Sequence, residues 1–359
     1  MNATTVAVDL AKSVFEIAVA DDQWRIVQRA RLSRAQFERW FDNRAVSLVV
    51  MEACSSAHHW ARLLQGKGIE IKLLPPKYVR AYVKRNKTDA ADAAALLEAT
   101  RCADILPVRV KSVEQQSLQS LHRIRSAWMA TRTSRINTLR GCCREFGIAI
   151  SEGSRIGLEQ MARVLADPGT AVPWMLRESL KLLIEEVRLL EARIAQLEKE
   201  LGAVAKASTA CEHLLSIPGI GLLTATAMTA ATGGSVAHFK SARHFASWFG
   251  LTPKENSSGS TRHLGRISKR GDRYLRMLLT HGARSVLRAA TVAHRCGKPL
   301  DRLRQWGMAV QSRSNHNKAT CALANKLARI CYATLRDQEP YERTRLIHKV
   351  ERLSFAMPA

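Results

Sequence analysis

The sequence predicts an α/β domain at the start of the chain and a mainly helical protein after it. β-prone runs, among them the buried-strand pattern VSLVVM at 46–51, fall within the first hundred residues. From about residue 112 onward, apolar residues recur at intervals of three and four, which is the period of a helix. Because 46% of the residues are hydrophobic, the chain has enough apolar material for the cores of two or three domains.

The first domain alternates strands and helices. Two short β-prone runs, 5–8 and 14–19, are separated by a few polar residues and predict a hairpin. The segment VSLVVM predicts a buried strand, SSAHHWARLLQGKG a helix that ends at glycine, and IEIKLLPP a further strand stopped by proline.

A heptad pattern marks the middle of the chain. Eight apolar residues alternate three and four apart, with Glu, Arg and Lys between them: Leu180, Leu183, Val187, Leu190, Ile194, Leu197, Leu201 and Val204. Such a seam fits a coiled coil between two copies of the chain, which we favour, and also a helix folded back on residues 115–146. The stretch 147–173, with four glycines and two prolines, predicts a connector.

The last third is helical, from about residue 211 to 335, with two features of its own. The segment LLSIPGIGLLTATAMTAATG has the pattern of a helix-hairpin-helix, in which Pro218 and Gly219 turn and Gly221 permits close approach of a phosphate. An ordinary turn between helices is the alternative. The polar segment GLTPKENSSGSTRHLGRISKRGD, at 250–272, contains too many Gly and Ser residues for a regular helix.

The charge balance indicates a polyanionic partner. The chain has 56 Lys and Arg against 31 Asp and Glu, a formal net charge of +25, and a pI near 10.4. Such an excess favours nucleic acid, with an anionic membrane surface as the competing interpretation. Because we find no apolar run of bilayer length and no signal peptide, we expect a cytoplasmic protein, associated with the nucleoid when active. The eight cysteines show no C-x-x-C spacing, which favours free thiols.

Four carboxylates in the first domain form a candidate metal site. Asp9 and Glu52 each stand at the end of a predicted strand, and Asp89 and Asp92 lie in the first turn of a helix. Strand ends converge on one rim, and residues three apart share a helical face. Four converging carboxylates would repel one another unless cations such as Mg²⁺ or Mn²⁺ lay between them. Taken singly, Thr88 or Asp89 could cap the helix and Asp92 could complement its dipole, while Asp9 could be a turn residue and Glu52 a solvated loop carboxylate.

Basic residues crowd the chain just before the two aspartates. They predict contacts to a phosphate backbone beside the metal site: Lys77, Arg80, Lys84, Arg85 and Lys87.

Two adjacent serines, Ser257 and Ser258, are candidate nucleophiles in the polar segment 250–272. A serine followed by glycine has an accessible hydroxyl, and nearby cations suit a phosphate under attack. A flexible surface loop has the same composition. The cations that we expect to bind nucleic acid here are Arg262, Arg266, Lys269 and Arg270.

These motifs together resemble the IS110/IS1111-type transposases. The N-terminal resemblance lies in AVDLAKSVFEIAV, VVMEACSSAHHWARLLQGKGIEIKLLPP and KRNKTDAADAAALLEA, and the C-terminal one in FASWFGLTPKENSSGSTRHLGRISKRGDRYLRMLLTHGA. The resemblance implies a RuvC-like, RNase H-type fold whose acidic tetrad is matched by Asp9, Glu52, Asp89 and Asp92. It also implies a serine that joins covalently to DNA, for which Ser258 is the better match and Ser257 the alternative.

The resemblance implies a domain order as well. A RuvC-like catalytic domain would span 1–110, a helical or coiled-coil segment 111–208, a domain with the helix-hairpin-helix and the serine 209–338, and a tail 339–359.

The function implied is that of an insertion-sequence transposase that cuts and rejoins DNA. Its partners would be donor and target DNA, a structured guide RNA encoded by the element, and further copies of the chain in a dimer or tetramer. A metal-dependent junction resolvase, a site-specific DNA invertase and a nucleic-acid-binding scaffold remain as alternatives.

Overall fold

The chain divides into two units, Met1–Val113 and Glu114–Ala359. The structure is a computed structural model that describes residues 4–83 and 88–342. The boundary at residue 113 lies close to the point at which strands give way to helices in the sequence. The division of the remainder into three parts stays a prediction.

The first unit is a mixed α/β fold around a five-stranded sheet in the order β3-β2-β1-β4-β5. Its strands are β1 (Thr5–Leu10), β2 (Val14–Ala20), β3 (Ile26–Ser33), β4 (Leu48–Glu52) and β5 (Glu70–Leu74). Its helices are α1 (Arg34–Trp40), α2 (Ala57–Gly66), α3 (Pro76–Val79) and α4 (Asp89–Thr100), with a 3₁₀ turn at Arg80–Tyr82. β1 pairs antiparallel with β2, as the predicted hairpin requires, and parallel with β4.

Helices cover both faces of this sheet. On one face Phe15 and Met51 pack with Phe37 of α1 and Trp60 of α2. On the other face small residues such as Ala7 and Ala18 pack against α4. Because successive side chains of a strand alternate between faces, this division assigns every position of the sheet to one side. Such a sheet is compatible with the RNase H-like domain that the resemblance implies.

The second unit consists of helices and one small hairpin. Its helices are α5 (Val113–Glu145), α6 (Ser154–Ala166), α7 (Trp174–Lys206), α8 (Thr209–Leu215), α9 (Leu222–Thr232), α10 (Ala242–Trp248), α11 (Arg273–Arg295), α12 (Arg302–Ser312) and α13 (His316–Asp337). The strands β6 (Pro253–Glu255) and β7 (Leu264–Ile267) pair antiparallel. Among the described residues, no helix is long and apolar enough to cross a membrane.

The heptad seam of α7 is buried within this chain. Three ion pairs join α7 to α5, with N–O distances of 2.6–2.8 Å: Arg125–Glu198, Arg132–Glu191 and Arg135–Glu186. The numbers rise on α5 as they fall on α7, so the two helices run antiparallel. This is the folded-back arrangement that the seam also allows, and the intermolecular coiled coil is unconfirmed.

Two predicted seam positions are wrong. Leu183 is only partly buried and Val204 is 39% exposed, whereas the neighbouring Ile184 and Ala205 are 4% and 2% exposed. A straight helix drifts by about 20° per heptad against a strict repeat of seven, so adjacent positions rotate into the core at its ends.

The predicted connector at 147–173 contains a helix. α6 occupies Ser154–Ala166, and Leu158, Met161 and Leu165 pack against α7. The glycines and prolines lie mostly at its borders: Gly153 precedes the helix with a positive φ of 89°, and Pro173 precedes α7. The glycines and prolines counted over the whole stretch therefore led to the prediction of a connector, although the residues of α6 form an amphipathic helix.

A contact between two glycines fixes the turn at Pro218 against α11. Gly219 has a positive φ of 86°, and a Cβ there would meet the carbonyl oxygen of Gly282 at 2.8 Å. A Cβ on Gly282 would overlap the carbonyl of Gly219. Neither position therefore has room for a side chain. Gly221, by contrast, has an extended backbone and open space where a Cβ would be.

A buried histidine joins three helices of this unit. His122 of α5 is 3% exposed, and its ring nitrogens lie 3.1 Å from the Tyr274 hydroxyl of α11 and 3.0 Å from the Thr226 hydroxyl of α9. Burial, and then the charge of Arg125, lower the pKa of His122 from 6.5 to about 4. The ring is therefore neutral at pH 7.

Replacing Gly282 with alanine should destabilise the protein, because the new methyl group would overlap the backbone of Gly219. We expect a loss of about 1–3 kcal/mol in the free energy of unfolding, measured by urea denaturation. Gly202→Ala is the matched control, because Gly202 also lies inside a helix but has nothing within 4 Å of its Cβ position. That variant should be unchanged or more stable by up to about 1 kcal/mol. Equal effects in the two variants would contradict the glycine contact.

The protein should lose stability as the pH falls from about 6.5 towards 4. In this interval His122 takes up a proton in the unfolded chain but not in the folded one, so protonation favours unfolding. His122→Gln should show a smaller loss between pH 7 and 5, by on the order of 1–3 kcal/mol, in urea titrations. Parallel pH profiles for the two proteins would show that His122 is not held neutral.

Candidate active site

Asp9 and Glu52 lie side by side at the ends of two adjacent strands. Val8 of β1 pairs with Met51 of β4, and Asp9 and Glu52 are the next residues along these parallel strands. By alternation both share the sheet face of Ala7, which packs against α4. Both side chains are half-buried and take part in further interactions.

The beginning of α4 lies over this face of the sheet. Thr88 caps the helix, since its hydroxyl accepts a hydrogen bond from the Ala91 amide at 3.2 Å. Arg29 of β3 donates to the Ala90 carbonyl at 2.9 Å and so ties the helix start to the sheet. Asp92 is half-buried and lies one helical turn before Leu96, which packs against the sheet. Asp89 is the first residue of α4, and its side chain lies outside what the structure describes.

A further carboxylate, which sequence reasoning missed, lies beside Asp9. Glu16 of β2 pairs directly with Asp9, and alternation places it on the same face, as Ala18 shows. Arg31 of β3 pairs with Glu16 in turn. A register for the predicted hairpin, with its turn at residues 11–13, would have found Glu16 from the sequence.

The donor chemistry of this region fits a hard divalent cation. Asp9, Glu52 and Asp92 offer carboxylate oxygens, which Mg²⁺ and Mn²⁺ prefer. Among the side chains that the structure describes, which exclude that of Asp89, no group of three Asp, Glu, His or Cys residues is arranged to hold a metal ion. The carboxylates therefore suit a metal in kind, and a complete ligand set is not shown.

The basic residues before α4 are only partly described. Lys77 and Arg80 are exposed on α3 and the 3₁₀ turn, and the Lys77 ammonium lies 5.4 Å from the centre of the Tyr78 ring. Tyr78 and Tyr82 are themselves 51% and 38% exposed. The predicted contacts Lys84, Arg85 and Lys87 lie outside the described residues.

In the second unit, the two serines lie near the tip of the β6-β7 hairpin. Glu255 pairs with Leu264, and Ser258 pairs with Thr261 through two backbone hydrogen bonds of 3.2 and 3.1 Å. Gly259 and Ser260 form the two-residue turn, and Gly259 has the positive φ, 56°, that the first position of a type II′ turn requires. The serine segment is therefore an ordered hairpin.

Alternation along the arm predicts that the two serine side chains lie on opposite faces of this hairpin. Ser257 donates to Glu255 at 2.8 Å and accepts from the His263 amide at 3.2 Å, while Arg262 donates to the same Glu255 oxygen at 3.1 Å. Hydrogen bonds from Ser257 and then from Arg262 lower the pKa of Glu255. Alternation directs Ser258 to the other face, away from this network.

The other predicted nucleic-acid contacts of this unit are exposed. Arg266, Lys269 and Arg270 belong to β7 or the segment after it, and Lys269 adopts a left-handed backbone with φ 53°. Arg262 is exposed as well but is paired with Glu255. The turn at Pro218 and Gly219 connects α8 to α9 and leaves Gly221 as the N-cap of α9. This turn between helices is observed, and its identity as a helix-hairpin-helix is unconfirmed.

Comparison with known proteins identifies both units. Residues 6–147 match a family profile described as "Transposase" and named for the DEDD transposases of IS110, and residues 211–296 match the "Transposase IS116/IS110/IS902 family". The chain is 41% identical to a probable family 20 transposase of Pseudomonas aeruginosa, over 95% of this chain and 99% of the relative.

Two more distant relatives extend the comparison. The transposase for insertion sequence element IS1111A of Coxiella burnetii is 38% identical over 94% of this chain and 90% of its own length. A pilin gene-inverting protein of Moraxella bovis is 24% identical over 96% of this chain and 99% of its own length. With two matching profiles and near-complete coverage by transposases, this chain belongs to the IS110 family of transposases, enzymes that cut and rejoin DNA.

Proposed function

We propose that this chain is the transposase of an insertion sequence and that Ser258 is its nucleophile. In this proposal Asp9, Glu52, Asp89 and Asp92 bind a divalent metal, Mg²⁺ or Mn²⁺. A structured RNA from the element selects the donor and target DNA by base pairing. Membership of the family supports DNA strand cleavage and rejoining. The roles of the four carboxylates, of Ser258 and of the RNA are what we propose.

Asp9 and Glu52 give the proposal its strongest structural support. They come from sequence segments 43 residues apart, yet parallel pairing of β1 with β4 brings them to neighbouring positions on one face. α4 packs on this same face of the sheet. The half-buried Asp92 comes from α4 itself, as a shared site requires.

The serine step conserves one phosphodiester for each bond broken. The Ser258 Oγ attacks the scissile phosphorus, the Oγ–P bond forms, and the bond from phosphorus to the departing deoxyribose oxygen breaks. The serine proton passes to solvent, and the departing oxygen takes one up. Rejoining reverses this: a deoxyribose hydroxyl attacks the phosphoserine and frees Ser258. Ser258 is exposed near the tip of the hairpin, which suits a residue that must reach a DNA backbone.

A divalent metal would supply charge neutralisation at the phosphate and polarise its oxygens. The carboxylates of Asp9, Glu52 and Asp92 would hold and orient it, since their oxygens are the ligands it prefers. Glu16, on the same face, adds negative charge beside Asp9 and so favours cation binding at this edge of the sheet.

Nucleic acid would contact both units of the chain. Lys77, beside the Tyr78 ring, and Arg80 are exposed in the first unit, and Arg266, Lys269 and Arg270 are exposed near the serine hairpin. Open space at Gly221 leaves room for a phosphate at the start of α9, in the manner of a helix-hairpin-helix. Such spread of positive charge suits a protein that leaves sequence choice to an RNA partner. Several strands must be cut, so we propose a dimer or tetramer.

DNA inversion is the second candidate function. The relative named a pilin gene-inverting protein aligns with nearly the whole chain. Inversion and transposition would use the same carboxylates and serine and would differ in how the DNA sites are arranged. The genes and repeats that flank the coding sequence distinguish the two. A hydrolytic resolvase differs more deeply, because water would replace Ser258.

Ser258→Ala should abolish the covalent protein–DNA complex, whereas Ser257→Ala should retain it. The Ser257 hydroxyl is held on the opposite face by Glu255, so its loss perturbs the hairpin but removes no nucleophile. Labelled nicked donor DNA, the element RNA and Mg²⁺ are mixed with each protein and resolved on a denaturing gel. If Ser257→Ala alone lost the covalent band, the two serines would exchange roles. Cleavage without any covalent band, surviving in Ser258→Ala, would establish the resolvase.

Asp9→Asn should weaken binding of Mn²⁺ at least tenfold in calorimetry and abolish strand cleavage, because one ligand of the metal loses its charge. Asp22→Asn is the matched control, since Asp22 is an exposed carboxylate at the end of the same hairpin. It should behave as wild type. Unchanged metal affinity and activity in Asp9→Asn would favour the scaffold alternative.

A further inference from the structure

The second unit contains a groove of about 2100 Å³ between the β6-β7 hairpin, α12 and α13. Its walls come from separate parts of the sequence, and Asn325 of α13 joins two of them by donating to the Leu251 carbonyl at 3.2 Å. The groove is therefore a fixed feature of the fold, and none of its α13 residues belongs to the proposed active site.

One wall of the groove is positively charged. Lys318, Lys326 and Arg329 of α13 line it. Lys326 follows Lys318 by eight residues and Arg329 follows Lys326 by three, so all three lie on one face of the helix. Arg266 and Lys269 line it from the hairpin side. Among the described residues, none of these five cations forms an ion pair with a carboxylate. Positive charge thus converges on this part of the groove.

Lys326 is the most enclosed of these cations. It is half-buried, and its ammonium lies 4.2 Å from the centre of the Trp306 ring of α12. Burial, and then the charge of Arg329, lower the pKa of Lys326. An anion bound beside Lys326 would raise this pKa again, because it would stabilise the charged form. Because Trp306 is half-buried and already has Lys326 against its face, it holds the cation and offers little surface for stacking a base.

The charge reverses further along the groove. Asp337, Glu339 and Glu342 line its other end, at the close of α13 and just beyond. From Lys318 to Arg329 the helix rises about 16 Å, which is the axial length of about five nucleotides of one strand of B-form DNA. A polyanion would therefore be attracted more strongly along the first half of α13 than at the acidic end of the groove, where Asp337 is paired with Arg336.

We propose that this groove binds the sugar-phosphate backbone of a nucleic-acid strand, through Lys326 and Arg329 at its centre and Arg266, Lys269 and Lys318 around them. We expect the cations to contact phosphates, which are the same at every nucleotide, and the Trp306 ring to be covered by Lys326 and so not to stack on a base. Binding would therefore be independent of base sequence. The inference rests on the proposed function in taking nucleic acid as the partner. The groove is a binding site separate from the four carboxylates and from Ser258, none of which lines it.

The test uses the full chain carrying Ser258→Ala, so that binding is measured without chemistry. Affinity for 20-nucleotide single strands of DNA and of RNA is measured against salt concentration. Lys326→Gln with Arg329→Gln should reduce the slope of log affinity against log salt by about 1.4, since each lost contact to a single strand contributes about 0.7. Arg284→Gln with Arg288→Gln is the matched control, as both residues are exposed on α11 and lie outside the groove lining. It should reduce the slope by less.

Lysine acetylation gives a second readout that does not depend on the variants. Bound oligonucleotide should protect Lys269, Lys318 and Lys326 from an amine-reactive reagent at least threefold, with the exposed Lys206 and Lys298 as references. Protection by DNA alone, RNA alone or both identifies the strand that the groove holds, and each supports it. Groove lysines that stay as reactive as the references, with a slope equal to that of the control, overturn the proposal. Failure of the serine chemistry would leave both readouts unaffected.

Discussion

The parallel pairing of β1 with β4 is the constraint on which the first unit depends. β1 lies in the centre of the sheet, and its register with β2 and β4 decides which side chains face α4. A slip of one residue would send Asp9 to the opposite face, among Phe15 and Trp60, and would move Val6 and Val8 to the face on which α4 packs. Since both faces are buried, the register is strongly specified. The register of β1 thus determines both the packing of the core and the adjacent positions of Asp9 and Glu52.

Close backbone contacts have the corresponding role in the second unit. A Cβ at Gly250 would overlap the backbone of Arg270, and a Cβ at Gly271 would overlap the carbonyl of Trp248. The two ends of the hairpin segment are therefore held against each other where it leaves the helices. This anchoring supports β6 and β7, which are short and almost wholly exposed and whose register shifts once, between Pro253 and Glu255, before it continues to Ser258. Order at the hairpin tip comes from its base and its hydrogen bonds, because it has little apolar burial.

The sequence predicted what depends on local pattern. The strands at Asp9 and Glu52 are apolar runs of strand length, and Thr88 stands where a helix cap is expected, so their positions were predictable. β3 was missed because its exposed side chains alternate weakly, and β6 and β7 were missed because polar strands resemble loops.

Other features depend on contacts that no local pattern contains. The heptad seam is the same whether the partner helix belongs to this chain or another, and only the pairing of Arg132 with Glu191 and its neighbours shows α5 as the partner. Glu16 needed a strand register, and the groove needed α13 beside the hairpin. The roles of the tetrad and of Ser258 come from family resemblance, and the geometry of the described residues supports them without testing them.

The opposite orientation of two adjacent hydroxyls makes the length of the hairpin arm as important as the serine itself. Each arm has two residues between the pair Glu255–Leu264 and the pair Ser258–Thr261. Alternation along the arm therefore assigns the side chain of each residue to one face of the hairpin. Loss of a single residue from one arm would exchange the faces beyond it and would turn the Ser258 side chain to the face of the Glu255 network. Insertions and deletions in this segment should therefore be tolerated only when they come in matched pairs, a restriction on sequence change that the identity of the residues alone does not reveal.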